Sequence, residues 1–376
     1  RHGIVLAKSQ SAKRYGIRTG EPVANAFRKC SDLVVVSPDH RRYQEYSKRL
    51  MDLLRDYTPD IEQVSVDECF MDFTGIAHRF HSPIDGAMEI KNAVRDKFGF
   101  TVNVGISTNK LLAKMASDFE KPDKVHTLFP DEIPIKMWPL PVRDLLFLGK
   151  ASEKKLTEAG IHTIGDMAHS SEAEIQRLLG NKAGHQLYQY ACGIDDSAVR
   201  AQPEEAKGFS VETTFNDDIV SVEQVLPILL EQCDIVATRM RRKEKKCTSI
   251  SVNFRTLDFR NKSHQMTLPN ATDTTDEIYK NAQKLFAESW KGEPLRLIGV
   301  ALTNLTDESF EQLSLFEDNE KKERRRKLDA TMDEIRKKFG NDKITRASIM
   351  NSSTGIAKKA RAQMKNEDDK ESRTVE

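Results

Sequence analysis

Residues 65–74 read Ser-Val-Asp-Glu-Cys-Phe-Met-Asp-Phe-Thr, so two adjacent carboxylates, Asp67 and Glu68, stand inside an apolar, strand-like run. Neighbours along a strand point to opposite faces, which would turn one acid toward a core unless both are drawn to an edge. An isolated buried carboxylate is costly. A divalent cation relieves that cost, and Mg2+ takes one or two carboxylates together with substrate phosphates. A plain Asp-Glu turn between two short strands accounts for the same residues without a metal, and pattern alone leaves both readings open.

A second block follows at 104–122. A strand expected over 101–106 ends in Ser107-Thr108-Asn109, which is good chemistry for starting a helix. The helix after it carries Leu111, Leu112, Met115 and Ala116 on one face and Lys110, Lys114 and Asp118 elsewhere, and the chain runs on to Lys121-Pro122. Taken together, the Ser-Val-Asp-Glu block and the run from Gly105 to Pro122 resemble the palm of the Y-family (translesion) DNA polymerases. There, S-[IVL]-D-E is the second metal-binding motif, and the G-[IV]-[SA]-x-N-K helix with its trailing K-P follows it. The resemblance extends over roughly residues 1–305: Ala12-Lys13-Arg14-Tyr15-Gly16-Ile17 looks like the fingers, and Arg296 to Leu302 like the last little-finger strand. Its nearest flavour is the bacterial error-prone branch of UmuC/ImpB type.

The resemblance implies a DNA-directed DNA polymerase of the translesion type acting in damage tolerance such as the SOS response. Two Mg2+ ions would be held with the help of Asp67 and Glu68, the catalytic and metal-ligating pair. Lys121 matches the lysine that meets the incoming deoxynucleoside triphosphate; Lys13 and Gln10 fall where relatives carry Arg and Tyr over the phosphates. Lys brings charge without the bidentate fork of Arg. The chain begins at Arg1, whereas family members carry upstream a strand with D-x-D-x-[FY]-[FY], the source of a further metal-ligating Asp and of the aromatic that blocks a ribose 2′-OH. The expectation is therefore an N-terminally truncated polymerase showing two of three usual carboxylates. The alternative is a non-catalytic DNA- and clamp-binding remnant of such an enzyme. A nucleotide cyclase, which also pairs palm carboxylates, is disfavoured by the two features described next.

Leu148-Gly149-Lys150 through Leu156, then Ala159-Gly160-Ile161-His162-Thr163-Ile164-Gly165-Asp166, resembles a helix-hairpin-helix. Backbone N–H groups at a helix start can hold a phosphate, so Gly149 and Lys150 are DNA-binding candidates; a purely structural helical turn is the other reading. The family has G-x-G in this turn, and Phe147 stands at the first glycine. Second, Gln312-Leu313-Ser314-Leu315-Phe316 resembles the peptide by which bacterial polymerases dock on the sliding clamp, with Gln312, Leu313, Leu315 and Phe316 as the contacts. A short hydrophobic staple back onto the fold is the alternative.

These features sit on a chain of 376 residues, long enough for two or three domains. Its net charge of +1 with 31 % charged residues averages over local imbalance and says nothing about nucleic acid. The basic run 239–246, ending a helix predicted from Val222 to about Lys243, offers Arg241 and Arg242 as phosphate contacts, against a solvated helix end favoured by the dipole. The strand Thr248–Thr256 alternates Ile250, Val252 and Phe254 against Ser249, Ser251, Asn253 and Arg255, giving one buried and one polar face. On the family's little finger that polar face meets duplex DNA, which nominates Arg255, Arg260 and Lys262. Five scattered cysteines (Cys30, Cys69, Cys192, Cys233, Cys247) fit reduced thiols filling cores in a cytoplasm. No run reaches the length of a membrane-spanning helix.

The expected fold class is α+β and multi-domain, a right-handed polymerase. Partial fingers occupy 1–39, an α+β palm 40–128, a helical thumb with the helix-hairpin-helix 129–200, a linker 201–208, an α+β little finger 209–307, and a tail 308–376. Within the tail, 320–339 reads as a basic amphipathic helix with Leu328, Met332, Ile335 and Phe339 in one stripe, and the chain beyond Gly355 as disordered. The expected partners are primer-template DNA, deoxynucleoside triphosphates and the clamp, with no membrane; a cytoplasmic, nucleoid-associated monomer is expected, the need for accessory subunits left open.

Overall fold

In a computed structural model of the chain, residues 3–202, 204–307, 319–341 and 343–349 are described. Contacts divide the chain into two units, one of residues 42–204 and one combining 1–41 with 205–376.

The first 41 residues hold two short helices, α1 (Gln10–Arg14) and α2 (Val23–Lys29). Then α3 (His40–Arg55) opens the unit of 42–204, burying Leu50, Met51, Leu53 and Leu54. Strands β1 (Ile61–Gln63) and β2 (Cys69–Met71) pair antiparallel, and α4 (Pro83–Phe98), capped by Ser82, buries Ile90 and Val94 against the same cluster. Next come β3 (Val104–Ile106), α5 (Lys110–Asp118) and β4 (Val125–Thr127), a βαβ unit whose strands pair in parallel. The order is thus helix, strand, strand, helix, strand, helix, strand, an α+β segment whose strands form two separate two-stranded pairs among the described residues.

A glycine decides how closely α5 lies on β3. A Cβ on Gly105 would stand 1.9 Å from Ala113 O and 2.5 Å from Ser117 N, so only a bare Cα admits this approach. The buried face of α5 (Leu111, Leu112, Met115, Ala116) joins a core completed by helices that follow. Those are α6 (Ile133–Lys136), α7 (Lys150–Glu158), α8 (Ile164–His169), α9 (Glu172–Leu179) and α10 (Asn181–Ala191), an all-helical segment as the pattern required.

The second unit continues with β5 (Gly208–Ile219), α11 (Val222–Arg241), β6 (Lys246–Thr256), β7 (Asn261–Thr272), α12 (Thr275–Ser289) and β8 (Leu295–Thr306). Its strands form an antiparallel sheet in the order β5-β8-β6-β7, and one face packs on α11 and α12 through Ile250, Val252, Phe254, Ile298, Val300 and Leu302.

The tail helix, α13 (Asn319–Phe339), departs from its expected stripe. Met332 is buried, yet Leu328 and Phe339 are exposed, and the inward positions are Asp329, Met332, Asp333 and Arg336. Charge, not apolar surface, docks this helix. Arg336 Nη2 lies 2.6 Å from Asp234 on α11, and Arg241 Nε lies 2.7 Å from Asp333. Arg346, beyond α13, reaches Asp234 and Asp329. No described helix is long and apolar enough to cross a membrane. The five cysteines are free thiols; burial pushes Cys69 up to about 11 and Cys247 up to about 12, and also raises Cys233, which suits filler roles.

Candidate active site and nucleic-acid surfaces

Asp67 and Glu68 do not alternate along a strand. They lie in the reversal between β1 and β2, both exposed. Of the two outcomes the sequence left open, both acids are drawn to an edge: the strand-like run is broken by a turn that turns them outward. Ser65 builds it. Its hydroxyl accepts from the backbone N–H of Glu68 (3.1 Å) and of Asp67 (3.3 Å) and donates to Asp67 Oδ1 (2.6 Å). The N–H groups of Val64 and Ser65 both donate to Glu68 O, closing the loop. Gln63 Nε2 donates to Ser47 Oγ on α3 and to Ser65 O, which ties the turn to the core beneath. The turn expected as the bland alternative is therefore the observed geometry, and it is also what gathers two carboxylates at one edge.

Opposite stands the charged face of α5. Asn109 caps this helix, accepting from Leu112 N, and its amide donates to Gly193 O. Asp195 Oδ2 accepts from Leu111 N, so the helix start is held from two sides. One turn apart along the face, Lys110 Nζ meets Glu62 at 2.8 Å and Lys114 Nζ meets Glu68 Oε1 at 2.6 Å. Lys114 also reaches Asp118 Oδ2 at 3.2 Å, and Asp118 Oδ1 holds Lys121 Nζ at 2.6 Å. Burial pushes Asp118 up, yet the hydrogen bond from Lys121 and the charge of Lys114 outweigh it and hold the carboxyl below its ordinary value. Burial likewise lowers Lys114, but Glu68 and Asp118 leave it raised overall.

Among the described residues, no group of three or more His, Cys, Asp and Glu is placed to hold a metal ion. Two exposed carboxylates with hard oxygens suit a cation that completes its shell with water and phosphate, the habit of Mg2+. Asp67 gives one oxygen to a hydroxyl and Glu68 one to an ammonium, both exchangeable partners, so the pair fits such a cation.

The other candidates separate. Gln10 is the first residue of α1, which Ser9 caps, and Lys13 lies in its last turn; both are exposed. Gly149 is the cap residue of α7 with no side-chain hydrogen bond, and open space surrounds its Cα. Just before it Phe147 takes φ +65°, the left-handed conformation that glycine adopts freely, with its ring 76 % exposed. The sequence therefore put Phe at a glycine position, and the backbone kept the glycine conformation. The second turn of the hairpin is closed by a reciprocal cap between Thr163 and Asp166 at the start of α8.

Three basic candidates are corrected. Arg241 is nine-tenths buried at its side chain and meets Asp333 and Asp329 on α13 and Thr275 at the start of α12; Arg242 donates to Asn341. Their charge is spent inside the fold. Lys262 is paired across the ladder with Phe254, so it shares the helix-covered face, over the Phe254 ring and against Glu293. Arg255 pairs with Asn261 on the opposite, polar face, and Arg260 sits at the β6–β7 tip with Asp258 at 2.7 Å. Register extends that polar face beyond β6: Asn253 is flanked by Ser263 and Gly299, Ser251 by Gln265 and Ala301. The β7 residues were missed, although their own alternation was readable. Gln312, Leu313, Leu315 and Phe316 lie outside the described residues.

This architecture and the paired acids beside a lysine-bearing helix define a nucleic-acid polymerase of the right-handed kind. The profile of the impB/mucB/samB family matches residues 1–118, that of its C-terminal domain 206–315, and a DNA polymerase-iota thumb domain 143–195. The chain is 45 % identical over 350 residues to a DNA polymerase IV of Clostridium acetobutylicum, covering 93 % of this chain and 88 % of that protein. It is 34 % identical over 355 residues to DNA polymerase IV 1 of Bacillus subtilis, covering 93 % and 84 %. A solved Y-family DNA polymerase chimera of Dbh and Dpo4 shares the fold with a TM-score of 0.72 at 23 % identity, over 82 % of this chain and 89 % of that one. The chain belongs to the Y family of DNA polymerases. It is accordingly a DNA-directed DNA nucleotidyltransferase of the translesion type, in preference to a non-catalytic remnant. Its relatives bear the name DNA polymerase IV, so they show the family and not a UmuC-type branch.

Proposed function

We propose that nucleotidyl transfer past damaged template bases is carried out at the β1–β2 turn, with Asp67 and Glu68 as ligands for divalent magnesium. The observation that carries this is the serine-built turn that holds both acids at an exposed edge facing α5. Bound there, Mg2+ supplies charge stabilisation at the attacking and leaving oxygens. The chain's own residues supply position: Ser65 fixes Asp67, Lys114 holds Glu68, and Lys121, half exposed at the end of the same row, meets the triphosphate of the incoming nucleotide. Lys13 and Gln10 keep the nucleotide-binding role that the family resemblance implies.

For the regions, the proposal is fingers over 1–39, palm over 40–128, thumb over 129–200, linker over 201–208, little finger over 209–307 and tail over 308–376. Gly149 and Lys150 at the open start of α7 are proposed to meet backbone phosphate, as is the polar sheet face with Arg255, joined by Arg260 at the adjacent tip. Gln312, Leu313, Leu315 and Phe316 are proposed as the sliding-clamp peptide, on their spelling alone. A cytoplasmic, nucleoid-associated monomer working in SOS damage tolerance completes the reading.

The test is primer extension opposite an abasic template site, with Mg2+, by the product of the complete reading frame. Nucleotide addition opposite the lesion supports the function. Extension that halts before the lesion while undamaged template is copied would contradict the translesion role.

A further inference from the structure

Four side chains form a row of alternating charge: Glu68, Lys114, Asp118, Lys121. Successive contacts measure 2.6, 3.2 and 2.6 Å. The two ends have separate proposed ligands, a divalent cation at Glu68 and a triphosphate at Lys121. Each end is engaged by an inner member, Glu68 by Lys114 and Lys121 by Asp118. Of the four, Lys114 is the least exposed, its side chain four-fifths covered, while Glu68, Asp118 and Lys121 are each about half exposed.

We propose that Lys114 and Asp118 are positioning residues that couple the two ends, so that a cation binding at Glu68 releases Lys121 for the triphosphate. The proposal rests on the metal and nucleotide roles given above. When a cation takes Glu68, Lys114 keeps Asp118 as its remaining partner. Their contact at i,i+4 on α5 tightens, and Asp118 loosens its hold on Lys121. From the other end, a triphosphate on Lys121 leaves Asp118 to Lys114 and frees Glu68. The two effects must be equal, because coupling between binding sites is reciprocal. At every stage Lys114, the covered member, keeps a carboxylate partner, which avoids a lone charge in a partly desolvated place.

The experiment uses the full protein on a dideoxy-terminated primer-template, so that no chemistry follows binding. The nucleotide probe is an exchange-inert Cr(III)·dNTP complex, whose own metal does not exchange, and the cation probe is Mn2+ followed by electron paramagnetic resonance. In the wild type, saturating Mn2+ should tighten Cr(III)·dNTP binding by about five- to tenfold, the low end of the usual coupling between sites. In Lys114→Met, and separately in Asp118→Asn, the same addition should change that affinity by less than about twofold while Mn2+ still binds. Full coupling retained in both variants, or no coupling in a wild type that binds Mn2+, would overturn the relay alone. Absence of Mn2+ binding to the wild type would instead overturn the metal role of Asp67 and Glu68, and the relay with it.

Discussion

Lys114 Nζ lies 2.6 Å from Glu68 Oε1, joining the acid that closes the β1–β2 turn to the charged face of α5. These residues come from segments that meet only in the folded chain. The contact ties a helix whose placement depends on Gly105 to a turn whose shape depends on Ser65. One support is a bare Cα and the other a serine hydroxyl that grips backbone N–H groups, so both charged groups are placed through the main chain.

Lys121 stands at the open end of this row, and its replacement tests the nucleotide side of the site. Lys121→Ala should raise KM for the incoming nucleotide roughly tenfold, the worth of one charge-assisted contact, with primer-template affinity unchanged. Single-nucleotide incorporation kinetics would show it; an unaltered KM would remove Lys121 from the triphosphate.

The docking of α13 makes a stability prediction. Arg336 is 2 % exposed at its side chain and paired with Asp234, itself buried. Arg336→Ala leaves buried Asp234 with Arg346 alone, at 3.4 Å, and should cost about 3 kcal/mol in chemical denaturation, the lower end for breaking a buried pair. Replacing both, as Arg336→Met with Asp234→Leu, should recover most of that loss. Arg241→Ala should likewise lower stability, with Asp329 and Asp333 each losing one of two cations. Loss of DNA affinity by Arg241→Ala at unchanged stability would contradict its placement.

At Phe147 a bulky residue holds φ +65°. Left-handed backbone costs a non-glycine residue about 1–3 kcal/mol, partly offset by the entropy that glycine brings to the unfolded chain. Phe147→Gly should therefore stabilise the protein by about 1 kcal/mol. A thermal melt checks this, and a lowered midpoint would mean that the ring's contact with Tyr190 matters more than the strain.

The cap of α8 adds a pH dependence. Backbone N–H groups of Thr163 and His162 donate to Asp166 and hold its carboxyl below the ordinary 3.8. A depressed carboxyl contributes stability above its unfolded value and loses it as pH falls through the folded value. The stability gap between wild type and Asp166→Asn should be constant near neutrality and narrow as pH drops below about 4. Denaturation midpoints across that range measure it; a gap that widens in acid contradicts the cap.

Local chemistry made much of this readable. Asn109 announces the start of α5, Leu111, Leu112, Met115 and Ala116 announce its buried face, and strand alternation in β6 places Arg255 outside. What pattern could not supply was the partner far along the chain. Arg241 and Arg242 look like a solvated basic end because their acceptors, Asp333 and Asn341, come from the tail. Polar Asp234 and Thr238, buried within the mostly apolar stretch 233–240 of α11, were the available hint. The stripe through Leu328 and Phe339 misleads for a related reason: ion pairs can bury a helix face that hydrophobic periodicity does not mark. Lys262 fails by one residue of register, which in a strand changes the face. At Asp67 and Glu68 the run of strand-forming residues hides a reversal that one serine hydroxyl secures.

The central claim is that Asp67 and Glu68 support nucleotidyl transfer, and the most direct measurement compares Mg2+-dependent single-nucleotide incorporation by the complete gene product and by its Asp67→Ala, Glu68→Ala variant. Incorporation should fall by at least about a hundredfold, with primer-template binding retained. Undiminished incorporation by the double variant would contradict the account.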